Sequence, residues 1–501
     1  MKQLKNIKSL FSLPEFILSF CRKRKGWGWA KISLTLLMLF TMAVNGMGQN
    51  YGNIWCFGDS IKLDFNSCSP IVSTSSNEGF EGASAISDSL GNLLFYTNSD
   101  YVWDNSNNIM PNGMLGTGPA SLSQVVIIPK PNSSSVYYIF TTQLQTLPSS
   151  RKFQFHEVDM SLNNGLGDVV VKNVELWSNN TTEQVAATHH TNGIDVWITT
   201  HEYGTNNFLS FLVTSTGIIM TPTVTAIGSS HAPCPANTNA RGNIKFSPNG
   251  NKLAFNGNSY QGNNTCSILE LFDFDNSTGS LSNHIRLPYQ GGEFGLSFSP
   301  DNNKLYCSTW QTGSITQADS NYIYQFDLSS GDSSIIVNSK YILFSGMAAF
   351  NFIGDLKIAP NGKIYVAKQT QKYLGVINNP NLIGVSCNYV DSGLYLNGRF
   401  CQFGLNNYIE YTTYCNSTFI EEYSNSLIKI YPNPTTNQFT IEKATKPYNF
   451  TIYNSIGQLL FNETNVTETS RIVDISNYPK GILFVHINSN RETYTQKIIK
   501  N

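Results

Sequence analysis

The chain has 501 residues, which at roughly 150 residues per domain points to two to four domains and excludes a miniprotein stapled by metal or disulfides. Its 32 Lys and Arg against 33 Asp and Glu leave a net charge of −1, so there is no basic field for nucleic acid and no acidic one for cations. Charged residues make up only 13% and aromatics 12%, a mix that suits strands joined by many turns.

Residues 1–48 read as a signal peptide. Lys2, Lys5, Lys8, Arg22, Lys23, Arg24, Lys25 and Lys31 precede the apolar run Ile32 to Val44, which is shorter than the roughly 20 residues that span a bilayer. Gly46 and Gly48 suit a cut before Gln49, and the competing reading is a transmembrane anchor. A weaker apolar stretch, Phe16 to Phe20, makes the charged region long and is consistent with a later start codon. No other segment is long enough to span, so the mature chain is expected to carry no membrane-spanning segment.

Of nine cysteines, Cys21 leaves with the leader. In an oxidising compartment the others can pair, and Cys56/Cys68 and Cys401/Cys415 are the first pairs to test by proximity. Cys307 shares a strand face with Leu305 and is expected as a buried thiol. No Cys/His spacing supports a zinc site, so no metal and no cofactor is expected.

Three copies of one unit run through the middle: NIKFSPNGNKLAF from Asn243, GLSFSPDNNKLYCS from Gly295 and DLKIAPNGKIYVAK from Asp355. In each, apolar residues alternate with polar ones (Ile244 and Phe246; Leu296 and Phe298; Leu356 and Ile358), a Pro-Asn/Asp turn follows, and alternation resumes. That is a β-hairpin with one buried face. Looser copies begin at Ser84, Val125 and Ala186, and a second hairpin, a strand ending in Asp followed by a Ser/Gly turn, recurs around Asp159, Asp275 and Asp327. Two hairpins per period give four strands per period, the pattern of a β-propeller; a stack of β-sandwiches is the rival. At roughly 50 residues per blade, residues 49–415 hold seven blades. Only six hairpin copies are legible, so the seventh is expected from both ends, with Ile54 to Phe57 and Leu63 to Phe65 pairing with Phe400 to Tyr411.

The FSPNGNKLAF and FSPDNNKLYCS segments resemble the WD-like propeller repeat of periplasmic and secreted bacterial proteins. The stretch from NIWCFGDSIKLDF to QVVIIPKP is also similar to a set of secreted proteins of the Bacteroidota. Residues 416–427 read as a polar linker, and residues 428–501 as a small Ig-like β-sandwich with Asn, Gly and Pro turns. Within it Tyr431, Pro432, Asn433 and Pro434, the stretch around Gly457, the turn at Lys480 and Gly481, and the basic last strand resemble the type A C-terminal sorting domain of the type IX secretion system. The resemblance implies passage through that machinery, removal of the tail by a surface sortase, and a secreted or outer-membrane surface-attached protein. A permanent Ig-like binding module is the alternative.

Chemistry is sparse. His189, His190, His201 and Glu202 tempt a metal reading, but a turn at Asn192-Gly193 separates His189 from His201, and HEY lacks the second His of HExxH. Asp273 and Asp275 lack the Glu that completes a calcium loop, the Gly-rich runs lack a P-loop Lys, and no GxSxG elbow appears. No catalytic residue is assigned. A glycosidase needs two carboxylates across a pocket, for which Glu78, Glu81, Asp100, Asp104, Glu183, Glu202 and Glu293 are available, but the sialidase-type Asp box is absent. Trp103, Tyr260, Tyr289 and Trp310 lie near turns where they can stack on sugars. The sequence therefore reads as an exported, non-catalytic propeller that binds a surface glycan or protein through rim residues such as Glu78, Trp103, His190, His201, Glu202 and Trp310. An extracellular polysaccharide hydrolase or lyase is the alternative.

Overall fold

A computed structural model describes residues 50–116, 124–142, 152–230, 240–257, 268–289, 292–311, 320–347, 352–410, 414–415, 428–443, 447–455, 457–489 and 492–501. The expected leader lies outside the described residues. Two compact units emerge, Met1–Cys415 and Asn416–Asn501.

Seven antiparallel sheets precede Cys415 among the described residues. The first has three strands, Ile54–Phe57, Asp59–Asp64 and Ile71–Glu78. The next six begin with Ser84–Ser87, Val125–Pro129, Ala186–His189, Ile244–Phe246, Gly292–Phe298 and Ile353–Ile358, and each winds outward in chain order. The fourth differs slightly: Gly217–Ile218 and Thr223–Ala226 both pair with Asn207–Thr214. Each of these opening strands neighbours the opening strand of the next sheet. The last sheet packs back on the first through a shared core of Trp55, Phe57 and Leu63 with Tyr365, Leu374 and Val376. Sheets radiating from a common axis and covering one another's faces make a β-propeller.

That covering changes one expectation. The hairpins do not have one buried and one solvated face: Val125 to Ile128, Val196 to His201 and Ile353 to Ile358 are buried throughout. A neighbouring sheet lies on each side, so polar residues between the apolar ones, such as Lys245, Ser297 and Lys357, are buried as well. Cys307 is buried in the core with Leu305 and Phe326.

The two ends of the wheel differ in the length of their connections. At one end the first hairpin of each of the six sheets after the first closes in a short turn with a residue in the left-handed region: Gly91, Asn132, Gly193, Gly250, Asn302 and Gly362. Turn side chains tie these together. Ser247 Oγ accepts from Lys252 N at 3.0 Å and Ser299 Oγ from Lys304 N at 2.8 Å. Asn249 N donates to Asn302 Oδ1 at 2.9 Å, and Asp301 N to Asn381 Oδ1 at 3.1 Å, so each turn leans on the next sheet. In the second recurring hairpin Asp159, Asp275 and Asp327 accept from the amide of Ser161, Ser277 and Ser329 at 2.9, 2.9 and 3.0 Å, the Asx turn that the repeated Asp-x-Ser demands. The two hairpin families also meet: Lys252 pairs with Asp273 at 2.8 Å and Lys304 with Asp327 at 3.1 Å. The other end carries the longest connections, as between Ala226 and Ile244 or Gly257 and Ile268.

The blade expected from both chain ends, whose N-terminal strands form the first sheet, is not completed as a four-stranded ladder. Residues 400–410 form no strand, and the first sheet keeps three. The stretch instead lies in the hub between the last and second sheets, where Asp355 N donates to Phe403 O and Asn407 N to Ala83 O, and Tyr408 packs on Trp55 of the first sheet. The cysteines correct the expected pairs in the same way: Cys68 is bonded to Cys415, their Cα atoms 5.9 Å apart, while Cys56 and Cys401 are buried thiols. Cys56 and Cys401 face the packed interior, where burial pushes each thiol up to about 12. Cys68, at the turn after Asp64, and Cys415, where the axial stretch ends, are the two that meet.

The second unit has two sheets. Ile428–Tyr431, Gln438–Lys443 and Ser470–Asp474 form one, and Leu459–Val466, Tyr448–Asn454, Gly481–Ser489 and Glu492–Lys500, in that spatial order, form the other. Phe439, Ile441, Phe450, Ile452, Val485 and Ile487 meet between them, the apolar alternation the sequence showed.

Candidate functional site at the axis

The opening strands bring their first residues together at the long-connection end, and a polar cluster gathers there. Lys245 Nζ lies 3.2 Å from Asp355 Oδ2, and Asn243 Nδ2 donates to Asp355 Oδ1 at 2.6 Å, joining the fifth sheet to the seventh. All three are buried. Burial raises the Asp355 carboxyl, and Lys245 and Lys357 oppose this. Gln124 spans the third to fifth sheets, donating to Gly242 O at 3.0 Å and accepting from Val185 N at 3.3 Å. Glu183 lies 3.9 Å from Arg241. Glu81 completes the group: burial and then the charge of Glu183 push its carboxyl up to about 8, against the pull of Arg241.

The chain's own end fills the space inside. Phe403 N and Gly404 N donate to Phe80 O at 2.9 and 3.1 Å, and Asp355 N donates to Phe403 O at 2.7 Å. Gly404 is required by close approach, since a Cβ there would stand 1.7 Å from Glu81 O. Deeper, Asn407 N donates to Ala83 O at 2.7 Å, and its Nδ2 donates to both Val125 O and Val185 O at 3.1 Å. Ser84 Oγ donates to Asn407 O at 2.7 Å and accepts from Ile127 N at 3.0 Å. Lys357 Nζ then donates to Tyr408 O at 3.0 Å and Glu410 Oε1 at 2.8 Å, and lies 4.0 Å from the Tyr408 ring centre. Burial lowers Lys357 to about 8, and Glu410 partly restores it. Cys415 N finally donates to Pro360 O at 2.8 Å, at the short-turn end. The space left among Glu81, Gln124, Lys245, Asp355 and Asn407 has about 10 Å³ of room, enough for one water. A second cavity of about 70 Å³, lined by Ile86, Ile127, His189 and Ile409, lies further along.

Of the residues singled out from sequence, Glu81 and Glu183 come together in this cluster, while the rim candidates are scattered. Glu78 is exposed at the end of its strand. Trp103 is 7% exposed and stacks on Tyr96 with ring centres 5.3 Å apart, so it is core rather than rim. His190 sits at the short-turn end, its Nε2 3.2 Å from Ser277 O and its Nδ1 accepting from Asn192 N at 3.0 Å, a bridge between sheets. His201 is buried between the rings of Phe208 and Phe255. Burial opposes charge on Glu202, but hydrogen bonds from Asn179 at 2.6 Å, Asn207 at 2.7 Å and Trp177 at 3.1 Å outweigh it and hold its carboxyl below the usual range. That satisfied carboxylate fastens a loop. Trp310 pairs through its backbone with Gly292 and Asn321. Among the described residues no cluster of His, Cys, Asp and Glu is fit to hold a metal ion.

Sequence reasoning missed Lys245, Asp355, Asn407 and Glu410. A signal for the first existed: Lys245, Ser297 and Lys357 occupy one position of the repeat, between two core residues of the innermost strand. Such a position faces neighbouring sheets or the axis, never open water.

In the second unit Asn433 holds the Tyr431 to Pro434 loop onto the last strand, donating to Lys497 O at 2.7 Å and accepting from Ile499 N at 2.9 Å. Tyr431 donates to Glu442 at 3.1 Å, and the Tyr431-Pro432 and Asn433-Pro434 peptides are cis. Gly457 and Gly481 have φ of 81° and 129°, and Lys480 is exposed. Lys500 donates to Ser476 O at 2.8 Å and to Tyr478 O.

Residues 429–501 match the family of secretion system C-terminal sorting domains. The chain is thus a β-propeller protein carrying the sorting domain of the type IX secretion system, which directs it through that machinery to the cell surface or the extracellular space. No helix among the described residues is long and apolar enough to cross a membrane. No curated protein matches the sequence. Similar solved structures include hydrazine synthase from Kuenenia stuttgartiensis, at 11% identity over 73% of this chain and 89% of that one, TM-score 0.35. The Dos1 propeller is 10% identical over 74% of this chain and 96% of that one, TM-score 0.38. PorZ, a surface component of the type IX secretion system of Porphyromonas gingivalis, is 11% identical over 91% of this chain, TM-score 0.36, and this chain spans 60% of its length. Likenesses this loose carry no functional argument.

Proposed function

We propose that the propeller is a non-catalytic binding module for a surface glycan or protein, delivered by its sorting tail, which a surface sortase then removes. One observation carries this reading: the hub, where a propeller can offer its deepest pocket, is filled from Phe403 to Glu410 by the chain itself, leaving beside it, among the described residues, only cavities of about 10 and 70 Å³. A ligand then meets the outer rim of the long-connection end, where loops rather than repeat turns supply the surface. Glu78 and the partly buried Phe80 and Phe352 lie there. The secreted protein on a glycan and peptide array, beside a hydrolysis assay on the same panel, tests the proposal. Retention of one ligand class without turnover is expected, and turnover overturns it.

One observation favours the hydrolase alternative. Burial first, and then the charge of Glu183, raise the Glu81 carboxyl to about 8, a direction that suits a general acid. If it holds, Glu81→Gln abolishes hydrolysis while leaving ligand retention intact.

A further inference from the structure

We infer that residues 403–410, followed by the anchored Tyr414 and Cys415, are an axle the propeller supplies to itself, and that the Cys68–Cys415 disulfide makes its retention independent of everything beyond Cys415. The inference rests on the proposed removal of the tail, because only a cut chain tests whether the axle stays.

The hydrogen bonds of this stretch are unevenly shared. Near its start, backbone amides of Phe403, Gly404 and Asn407 bind carbonyls of Phe80 and Ala83. Midway, the contacts come from side chains: Asn407 to Val125 and Val185, and Lys357 to Tyr408 and Glu410. These tie the connection between the first and second sheets, the third sheet, the entry to the fourth and the seventh sheet to one strand-free segment, so withdrawing it removes partners from several sheets at once. The carbonyls of Val125 and Val185 would be left buried without the Asn407 amide, and Lys357 without its carboxylate, each a costly state.

Among the described residues of its far end, Cys415 N donates to Pro360 O, Tyr414 packs on the core of the seventh sheet, and the disulfide adds the covalent tie. The compact unit ends at this same residue. A severed chain end frays from the free terminus inward, and a fray starting at residue 416 would reach Glu410 and Lys357 within a few residues. The crosslink stops it at the first one. It closes a span of 347 residues, from the turn after the first sheet's second strand to the end of the axle, so the wheel's two chain ends are joined covalently. The position of this bond suits a protein that loses its tail after folding.

The test uses the full chain with a specific protease site inserted among residues 416–427, so that the cut is imposed in vitro. The native protein and the Cys68→Ser/Cys415→Ser variant are compared before and after cutting by hydrogen exchange at the amides of Phe403, Gly404, Asn407 and Cys415. Cutting is expected to leave exchange unchanged in the native protein and to speed it at least tenfold at Asn407 and Cys415 in the variant. Equal protection in both cut proteins overturns the role of the disulfide, and accelerated exchange in the cut native protein overturns the independence from the tail. If the variant does not fold, reducing the disulfide in the cut native protein gives the same comparison. Whether cells remove the tail is read separately, from the mass of the secreted protein. A mass that includes residues 428–501 refutes the processing proposal and leaves the axle result standing.

Discussion

The two ends of the wheel solve the same problem by different means. Where the turns are short, each sheet closes with Ser, Asn, Asp and Gly in fixed positions, and the turns lean on each other through backbone amides such as that of Asn249 on Asn302. Where the connections are long, the sheets are held by charged and amide side chains that meet at the axis, Lys245 and Asp355 above all. The first device repeats because every unit needs the same reversal. The second cannot, because one axis has room for a few groups only, and each sheet contributes a different one. The lesson is that repetition marks scaffold, while departure from it marks the end on which function can be built.

Substitutions at the two ends should therefore differ in size and in kind. Lys245→Met leaves Asp355 and Asn243 buried beside an apolar chain, and about 3–5 kcal/mol of propeller stability should be lost in denaturant unfolding. Pairing it with Asp355→Leu should restore most of that. Asn407→Ala uncovers two buried carbonyls and should cost roughly 2–3 kcal/mol by the same measurement.

A buried group at neither end supplies a reference. His156 is fully buried, its Nδ1 accepts from Asn173 N at 3.2 Å, and its Nε2 lies 3.0 Å from Thr141 Oγ1. Burial, and then Lys172, lower it to about 3, from an ordinary value near 6.5. A depressed histidine binds its proton more readily in the unfolded chain, so its contribution is whole above about 6.5 and lost as pH falls toward about 3. Stability should drop by roughly 2 kcal/mol between pH 7 and pH 5 on this account, and His156→Asn, which keeps an acceptor for Asn173, should flatten the slope in melts across that range. A slope that survives the substitution would place the acid sensitivity elsewhere.

The smallest effects belong to the short turns. Gly250 has φ of 72°, and a Cβ there would lie 2.6 Å from Thr188 Oγ1, so Gly250→Ala should cost about 1–2 kcal/mol in thermal unfolding. Asn302→Gly, at the equivalent turn, keeps the left-handed backbone but removes the acceptor for Asn249 N, and should cost about 0.5–1 kcal/mol. Neither should alter ligand retention on the array; if one does, the division of labour between the ends fails.

The sequence was most legible where local rules suffice. The Pro-Asn/Asp turns, the Asp-x-Ser reversals and the alternating strands each name their own conformation, and the tail's Tyr431 to Pro434 loop could be placed without knowing its neighbours. It was least legible where partners are distant. Cys68 and Cys415 are 347 residues apart, and proximity along the chain favoured Cys56 and Cys401, which strand packing turns inward. His201 and Glu202 looked reactive as a string, yet the register of Val196–His201 against Asn207–Thr214 sinks one among aromatic rings and gives the other three amide and indole donors. The GLNN stretch resembled the missing strand of a blade. Its Asn side chains instead bind carbonyls of three sheets, which no strand periodicity announces.

The position of the disulfide also sets a load path. Tension on anything joined beyond Cys415 reaches the molecule at the short-turn end and is taken up by a covalent bond to the turn at Cys68, not by the hydrogen bonds of Asn407 and Lys357. Pulling on Cys415 therefore leaves the hydrogen bonds of the hub unloaded.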